Sequence, residues 1–285
     1  MTYLCNGIKK CDMVQNKNIA EDTSLIVTTY NKPIFLEIVL KSILMQKMYP
    51  CEVIIADDGS TDTTRELIDR YRERFPIPLV HSWIPDEGFR VAKSRNVAIA
   101  KAKGDYIIII DGDTIISPLF VKDHIKYRKR GFFLTGDRSY LKEEATQSRC
   151  ISLNPSFSFF TRGLNCRRRT LHISWLHKLY RGYKGRDGRR KLISCNMSFW
   201  KSDIVAVNGF DERMTGWGCE DTELGLRFYN KGLKRRHLRG IASCVHLYHK
   251  PVQGKEDSFN KNLLLEEETL KKGNTWAAKG IDQYL

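Results

Sequence analysis

The stretch Asp105-Tyr-Ile-Ile-Ile-Ile-Asp-Gly-Asp113 decides the fold, because an uninterrupted apolar run ends in two carboxylates separated by one glycine. Residues 107–110 show no polar alternation, which is typical of a strand that is covered on both faces in a parallel sheet. Ligands of open α/β sheets bind where such strands end. Asp111 and Asp113 could form a simple turn, or they could bind Mn²⁺ or Mg²⁺, hard cations that prefer oxygen ligands.

Strand-like and helix-like segments alternate through the first half of the chain. Short apolar segments predict strands, and longer amphipathic segments predict helices. The expected strands are residues 24–29, 52–56, 78–83, 105–110 and 132–135, and the expected helices are residues 33–46, 62–75, 91–103 and 118–130. This alternation implies βαβ units with right-handed crossovers. The expected fold class is therefore α/β, with a mostly parallel sheet flanked by helices.

Two helix ends carry local signals. Asn31 followed by Pro33 predicts an N-terminal cap for the first helix, since Asn accepts from free backbone N–H groups and proline fits the first turn. Gly104 predicts a left-handed C-terminal cap for the helix of residues 91–103.

The second half is less regular. Residues 138–192 resist assignment, and the expected elements beyond them are an ordered segment at 193–200, a short helix at 201–207, a glycine-rich loop at 209–218, a helix at 220–231, a strand at 242–248 and a terminal helix at 256–272. The expected divisions are an N-terminal extension (1–22), two halves of one domain (23–137 and 193–250) separated by a variable insert (138–192), and a C-terminal helix and tail (251–285).

The charge of the chain is strongly basic and concentrated. With 48 Lys and Arg against 33 Asp and Glu the net charge is +15, and residues 161–192 hold many of the cations with a single acid, Asp187. Such a cluster suits a solvated loop or peripheral contact with an anionic membrane. No stretch approaches the roughly 20 apolar residues of a spanning helix, and residues 1–22 lack the apolar block of a signal peptide. The expected location is the cytoplasm, either free or on the inner face of the membrane.

Three predicted strand ends carry polar residues, namely Thr28-Thr-Tyr-Asn31, Asp57-Asp-Gly-Ser60 and Asp111-Gly-Asp113. In a parallel sheet these ends converge on one crevice. The chain lacks Gly-x-Gly-x-x-Gly and Gly-x4-Gly-Lys-Ser/Thr, so dinucleotide oxidoreductases and P-loop ATPases lose their main support.

In their order and spacing, these segments resemble the nucleotide-binding half of family 2 glycosyltransferases, which have the GT-A fold. The resemblance implies that residues 23–137 bind a nucleotide sugar, and that Asp113 and Asp111 hold the metal and touch the ribose. It also implies that Arg95, in the pair Arg95-Asn96, lies near the nucleotide and its diphosphate. The other nucleotide-binding residues that it implies are Thr29, Tyr30, Asn31, Asp57 and Asp58.

A second match lies in Gly216-Trp-Gly-Cys-Glu-Asp221, which resembles the acceptor-side region of β-1,4-galactosyltransferases and chondroitin-polymerase-type enzymes. The resemblance implies that Asp221 is the catalytic base and that Glu220 orients acceptor or donor. A Trp between two glycines can present its face to a sugar, although it could equally belong to the core. Acids in the first turn of a helix also complement its dipole. The expected substrate-binding residues are Trp217, Gly216 and Asn196.

The segment Val245-His-Leu-Tyr-His249 supplies two imidazoles near the place where the family has its third metal ligand. His249 is the expected ligand, together with Asp113 and Asp111, and His246 is the alternative.

The function expected from this resemblance is a metal-dependent inverting glycosyltransferase that uses Mn²⁺ or Mg²⁺ and a UDP-sugar. Its expected acceptor is a saccharide or lipid-linked glycan of a cell-surface polysaccharide or lipopolysaccharide, and no nucleic acid is expected as a partner. The alternatives are a sugar nucleotidyltransferase and a nucleic-acid-binding protein. The first should show a glycine-rich basic loop after its first strand, and the second leaves the strand-end carboxylates without a role.

Overall fold

The computed structural model describes residues 18–175, 192–250 and 255–285 of the protein. The strands are β1 (Ile19–Thr29), β2 (Tyr49–Asp57), β3 (Leu79–Trp83), β4 (Tyr106–Asp111), β5 (Thr114–Ile116), β6 (Phe132–Gly136), β7 (Arg138–Leu141), β8 (Leu164–Asn165), β9 (Met197–Trp200), β10 (Lys234–Leu238) and β11 (Cys244–His246). The helices are α1 (Pro33–Leu44), α2 (Asp62–Arg72), α3 (Val91–Lys101), α4 (Phe120–Tyr127), α5 (Glu143–Ser152), α6 (Lys201–Val205), α7 (Glu220–Asn230) and α8 (Lys255–Lys272).

The described residues form a seven-stranded sheet in the order β10-β6-β9-β4-β1-β2-β3 and a four-stranded sheet in the order β5-β11-β7-β8. In the larger sheet every neighbouring pair is parallel except those of β9, which runs antiparallel to β4 and β6. The prediction of a mostly parallel sheet flanked by helices is confirmed.

Strand β4 lies at the centre of this arrangement. Successive side chains of a strand point to opposite faces of its sheet. Ile108 and Ile110 accordingly pack with residues of α1 and α2, whereas Ile107 and Ile109 pack with residues of α3 and α7. All four isoleucines are fully buried. The apolar run is therefore explained by helices on both faces of the sheet.

Both predicted helix caps are wrong. Asn31 precedes the cap residue Lys32 and has a positive φ of 46°, and its side chain instead accepts from Thr61 N across the neighbouring loop. The third helix ends at Ala102 in an extended conformation. Gly104 has another role, because a Cβ there would lie 2.6 Å from Ser24 N in the adjoining β1.

The segment that resisted assignment is partly regular. Strands β7 and β8 pair with each other, and β7 also pairs with β11, so residues 138–165 help to build the smaller sheet. The predicted insert thus shares a sheet with β5 and β11, which lie in the two predicted halves of the domain. The division predicted at residue 22 falls inside β1.

Residues 1–17, 176–191 and 251–254 lie outside the described residues. In the described part of the chain, no helix combines the length and apolar character that a membrane crossing needs.

A buried ion pair anchors α7. Arg227 and Glu223 are 0% and 1% exposed, and two guanidinium nitrogens of Arg227 donate to Glu223 at 2.8 and 2.7 Å. Arg227 also donates to the carbonyl oxygens of Val207 and Gly209, and Thr269 Oγ1 in α8 donates to Glu223. This pair thus ties α7 to the loop after α6 and to the C-terminal helix.

Replacing Arg227 with Met should lower the free energy of unfolding by about 3–5 kcal/mol, because it leaves the Glu223 carboxylate buried without its charged partner. Arg65→Met is the matched control, since Arg65 pairs with Asp62 on the surface of α2 with 57% of its side chain exposed. Its loss should be about 0–1 kcal/mol. Urea unfolding of the two variants measures both values, and equal losses would contradict the assigned role of the buried pair.

Candidate active site

The polar strand ends converge as the sheet topology requires. Thr28 lies opposite Asp111 in the pairing of β1 with β4, and Thr29 lies opposite Asp57 in the pairing of β1 with β2. Thr28 Oγ1 donates to Asp111 Oδ1 at 3.0 Å. The carboxyl ends of three adjacent parallel strands therefore form one edge of a cleft.

The loops after β1 and β2 are fastened to each other at this edge. Asn31 N donates to Ser60 Oγ at 2.9 Å, and Thr61 N donates to Asn31 Oδ1 at 2.9 Å. Tyr30 is half exposed and donates from its hydroxyl to Asp86 Oδ2 at 2.9 Å. The structure thus brings Tyr30 and Asn31 beside the Asp57 turn, as the sequence predicted.

Asp57 and Asp58 have different environments. Asp57 is fully buried, accepts from Ser60 N at 2.8 Å and contacts His81 Nε2 at 2.8 Å, so it shapes the turn and is not open to a ligand. Asp58 accepts from Arg90 N through Oδ2, while its buried Oδ1 has no hydrogen-bond partner in the described residues. Burial raises the pKa of Asp58 to about 7. Asp58 Oδ1 is therefore an acceptor that a bound ligand could satisfy.

Asp113, His246 and His249 form a cluster with the composition of a metal site. One ligand atom from each lies within 4.8 Å of the others. His246 Nε2 is 3.3 Å from Asp113 Oδ1, and His249 Nε2 is 3.2 Å from Asp113 Oδ2. Burial would raise the pKa of Asp113, but His249, His246 and Lys32 lower it to about 2. The carboxylate is thus ionised at neutral pH, as a ligand must be.

The hydrogen bonds around the cluster favour a cation. His249 Nδ1 lies 2.9 Å from Lys250 O, which can only accept, so Nδ1 carries a proton. In the neutral imidazole, Nε2 is then a bare acceptor that faces a carboxylate oxygen. Asp113 Oδ1 is also buried without a hydrogen bond from the described residues. Acceptors that face each other in this way require a proton or a metal ion between them, and Mn²⁺ accepts both imidazole and carboxylate ligands.

Asp111, which the sequence predicted as a further metal ligand, is not part of this cluster. Its Oδ1 accepts from Thr28 Oγ1 and from Arg95 Nη2, the latter at 3.2 Å. Arg95 is 3% exposed, and its Nη1 donates to Glu220 Oε1, also at 3.2 Å. One buried guanidinium therefore connects the strand-end carboxylate to the first turn of α7.

Glu220 and Asp221 begin α7 at the same cleft. Asp221 accepts from Ser194 N at 3.0 Å and from Thr222 N at 2.8 Å. Burial and the nearby Glu220 raise the pKa of Asp221 to about 7, although Arg95 lowers it. Asp221 is thus poised to exchange a proton near neutral pH. Glu223, the other acid in this turn, is held by Arg227 and is not available.

The glycine-rich loop before α7 presents Trp217. Trp217 is 42% exposed and stacks against Phe259 of α8, with ring centroids 5.9 Å apart. Gly216 has a φ of 76°, and its N–H donates to Phe89 O, which joins this loop to the one before α3. The indole therefore lies at the surface and not in the core.

The structure does not bring Asn196, a predicted substrate-binding residue, to the surface of the cleft. Asn196 is fully buried, its Oδ1 lies 3.0 Å from His124 Nε2, and its Nδ2 donates to the carbonyl oxygens of Asp137 and Ala242. Its polar atoms therefore form hydrogen bonds with buried groups of the protein interior. The sequence around residue 196 does not indicate this burial, because burial depends on tertiary packing.

Two cations near the site were not predicted. Lys32 Nζ lies 3.5 Å from Asp113 Oδ2, and its position directly after the Thr-Tyr-Asn segment was an available signal. Arg138 on β7 donates from Nε to Tyr140 Oη at 2.9 Å, and its charge contributes to lowering the pKa of His246, of which burial is the larger cause. No local pattern indicated Arg138, because its position follows from the pairing of β7 with β11.

Comparison with known proteins shows the family of the chain. The family described as "Glycosyl transferase family 2" matches residues 24–181, and the one described as "N-terminal domain of galactosyltransferase" matches residues 176–250. The chain is 29% identical to a hyaluronan synthase of Pasteurella multocida, covering 85% of the chain and 26% of that protein. It is 26% identical to a chondroitin synthase of Escherichia coli, covering 88% of the chain and 38% of that protein. The chain therefore spans well under half the length of these relatives.

Solved structures show the same fold. The structure of S. aureus TarS in complex with UDP-GlcNAc matches with a TM-score of 0.61 at 16% identity, covering 92% of this chain and 69% of that one. The structure of GalNAc-T7 with UDP, GalNAc and Mn²⁺ matches with a TM-score of 0.60 at 14% identity, covering 87% of this chain and 48% of that one. These similarities confirm the GT-A fold that the sequence predicted.

We expect Mn²⁺ to bind the cluster of Asp113, His246 and His249. Loss of any one ligand, in Asp113→Ala, His246→Ala or His249→Ala, should weaken Mn²⁺ binding roughly 10- to 100-fold or more, since loss of a supporting residue alone has that effect. Asp111→Asn should leave it nearly unchanged, because Asp111 lies outside the cluster. Titration of free Mn²⁺ by electron paramagnetic resonance, without nucleotide, measures this. An Asp111→Asn defect as large as that of Asp113→Ala would contradict the assignment.

Proposed function

The chain belongs to glycosyltransferase family 2, and on this basis we propose that it is a metal-dependent, inverting enzyme that transfers a sugar from a UDP-sugar to a saccharide acceptor. Membership of this family decides against the two alternatives, a sugar nucleotidyltransferase and a nucleic-acid-binding protein. The proposal adds the donor, the metal, the stereochemical course and the acceptor class.

The observation that carries the proposal is the position of Arg95 between Asp111 and Glu220. Asp111 ends the strand on the nucleotide side, and Glu220 begins the helix that resembles the acceptor side. Because one buried side chain contacts both, the strand end that would face the donor lies beside the helix turn that carries the candidate base, Asp221. That proximity is the requirement for a direct displacement between two substrates.

The donor side suits a uridine nucleotide. Tyr30, Asn31, Thr29 and the Asp57 turn line the edge formed by β1 and β2, and Asp58 Oδ1 is an unsatisfied acceptor there. A uracil ring carries one N–H that can donate to such an oxygen, which offsets the cost of the buried carboxylate. The TarS and GalNAc-T7 structures contain UDP-GlcNAc and UDP respectively, which supports the same donor class.

Asp113, His246 and His249 would hold Mn²⁺ or Mg²⁺, with Mn²⁺ better suited to two imidazoles. When bound, the cation supplies Lewis-acid stabilisation of the negative charge on the departing diphosphate. Lys32 Nζ, which is 3.5 Å from Asp113, adds a second positive charge beside the same position.

Asp221 acts as general base on the acceptor side. Its carboxylate removes the proton from the acceptor hydroxyl as that oxygen attacks the anomeric carbon, and a single displacement inverts the configuration there. Ser194 N and Thr222 N orient the carboxylate by donating to its two oxygens. Glu220 stays ion-paired with Arg95, and Trp217 offers a flat apolar face to a sugar ring.

The acceptor is a saccharide or a lipid-linked glycan, and the product is a cell-surface polysaccharide or lipopolysaccharide. The names of the relatives, hyaluronan synthase and chondroitin synthase, favour the polysaccharide. Peripheral contact with an anionic membrane through residues 161–192 stays a proposal, and residues 176–191 of that segment lie outside the described part of the chain. Within its described part, Arg168, Arg169 and Trp175 are exposed, which suits such contact.

A donor and acceptor panel tests the proposal. With Mn²⁺ present, UDP release from one of UDP-GlcNAc, UDP-GalNAc, UDP-galactose, UDP-glucose or UDP-glucuronic acid should increase when hyaluronan or chondroitin oligosaccharides are added. Chelation by EDTA should abolish the release, and Mn²⁺ should restore it. Full activity in EDTA would rule out the metal, and release from GDP-sugars in preference to UDP-sugars would rule out the donor class.

The rate should depend on pH through Asp221. Because its pKa is raised to about 7, the base form predominates only above that pH. At saturating Mn²⁺, kcat/KM should rise about tenfold per pH unit below pH 7 and level off above it. Asp221→Asn should lose this rise and roughly 10²- to 10⁴-fold of the rate, while UDP binding persists. Nearly normal transfer by Asp221→Asn would indicate that Glu220 is the base, since Glu223 is ion-paired with Arg227.

A further inference from the structure

Two adjoining cavities lie beside the histidines of the metal cluster. They have volumes of about 450 and 490 Å³ and share Glu143, Tyr248 and His249 along their common wall. Each volume falls within the roughly 300–1,000 Å³ of small-molecule sites. We call the combined depression the β7–α5 groove; its walls include Tyr140, Lys142, Glu143, Asn165, Tyr248 and Ile151.

Two tyrosines offer partly open rings along this groove. Tyr140 and Tyr248 are 36% and 37% exposed. Tyr140 is held from behind, because its hydroxyl accepts from Arg138 Nε at 2.9 Å and its ring lies 6.0 Å from that of His246. Tyr248 is fixed through its backbone N–H, which donates to Thr146 Oγ1 of α5 at 2.9 Å. The ring of Tyr140 is therefore preorganised, so a ligand that stacks on it loses little further side-chain entropy, and the backbone of Tyr248 is fixed beside it.

Polar side chains surround these rings. Asn165 lies opposite Tyr140 in the pairing of β7 with β8, and Lys142 and Glu143 follow β7 at the start of α5. An amide, an ammonium and a carboxylate together provide donors and acceptors for hydroxyl groups. Apolar ring faces bordered by hydrogen-bonding groups match the two surfaces of a pyranose, which has apolar C–H faces and a rim of hydroxyls.

The groove adjoins the candidate metal cluster. His246 and His249 line it, and their Nε2 atoms face Asp113. A ligand in the groove would therefore begin next to the metal and continue along α5. Two successive cavities, each large enough for a sugar ring, fit a chain of sugars better than the single ring of a donor.

We propose that the β7–α5 groove binds additional sugar residues of the acceptor, beyond the one that receives the transferred sugar. This inference rests on the proposed function and names its substrate more closely, as an oligosaccharide or polysaccharide and not a monosaccharide. A lipid surface fits the groove less well, because Ile151 is the one strongly exposed apolar residue among those lining it in the described structure, so the groove offers little apolar anchoring.

Length-dependent binding tests the groove directly. The probes are hyaluronan, chondroitin and chitin oligosaccharides of two to six sugars, added to the protein with Mn²⁺ and UDP and followed by calorimetry. At least one series should bind more tightly as its length increases. Tyr140→Ala and Tyr248→Ala should each weaken the longer members roughly tenfold, the effect of removing one aromatic contact, and should leave the affinity of the disaccharide much less changed.

Three control variants separate stacking from folding and from surface effects. Tyr140→Phe keeps the ring and should retain most of the binding, whereas Phe160→Ala and Trp276→Ala remove exposed aromatic rings outside the groove and should have no effect. UDP affinity is measured for every protein. Normal UDP binding with defective oligosaccharide binding places the defect in the groove, while absence of UDP binding by the unaltered protein would refute the proposed function instead.

The proposal is overturned if no oligosaccharide binds, if affinity does not increase with length, or if the Tyr140→Ala, Tyr248→Ala double variant binds like the unaltered protein. Binding to anionic vesicles that disappears in Tyr248→Ala would also overturn it, because the groove would then be a lipid contact.

Discussion

The ionic bridge centred on Arg95 is the interaction on which the rest of the site depends. Burial alone would lower the pKa of this guanidinium, but Asp111 and Glu220 more than offset that effect, so it stays charged. A buried charge is tolerated only when it is paired, and removing one partner is costly. Asp111 and Glu220 belong to different halves of the chain, so their shared need for Arg95 holds the carboxyl end of β4 and the start of α7 at a fixed separation.

Asn96, the residue after Arg95 in α3, holds the loop that precedes α7. Asn96 donates to Phe210 O at 2.8 Å and to Glu212 Oε1 at 2.9 Å, and it accepts from Phe210 N at 2.8 Å. Phe210 in turn lies under the Arg95 guanidinium, 5.2 Å from it. Because consecutive side chains on a helix point about 100° apart, Arg95 can contact Asp111 and Glu220 while Asn96 contacts the glycine-rich loop. The pair therefore joins the strand ends, α7 and this loop.

Sequence patterns predicted β1, β2, β3, β4 and β6 of the larger sheet, because their apolar runs show that they are buried, but they gave no strand at β10, whose sequence Lys234–Leu238 is mostly charged. The same patterns could not predict β7 and β8, which have four and two residues and form only by pairing with β11 and each other. Gly104 and Asn31 were misread for a related reason. Each sits at a helix end where local rules predict a cap, but a distant contact, with Ser24 and with Thr61 respectively, determines its actual role.

The Asp-Gly-Asp segment shows which part of the site the sequence could predict. The sequence left open whether this segment is a turn or a metal site, and the structure contains a turn that also directs Asp113 into a candidate metal cluster. Gly112 N donates to Thr28 O at 2.6 Å, and a Cβ at residue 112 would lie only 2.6 Å from that oxygen, so the approach requires glycine. The turn leaves Asp111 with Arg95 and directs Asp113 toward the two histidines. The spacing of the motif predicted two carboxylates at one strand end, but the division of their partners depends on β11, which the sequence placed only approximately.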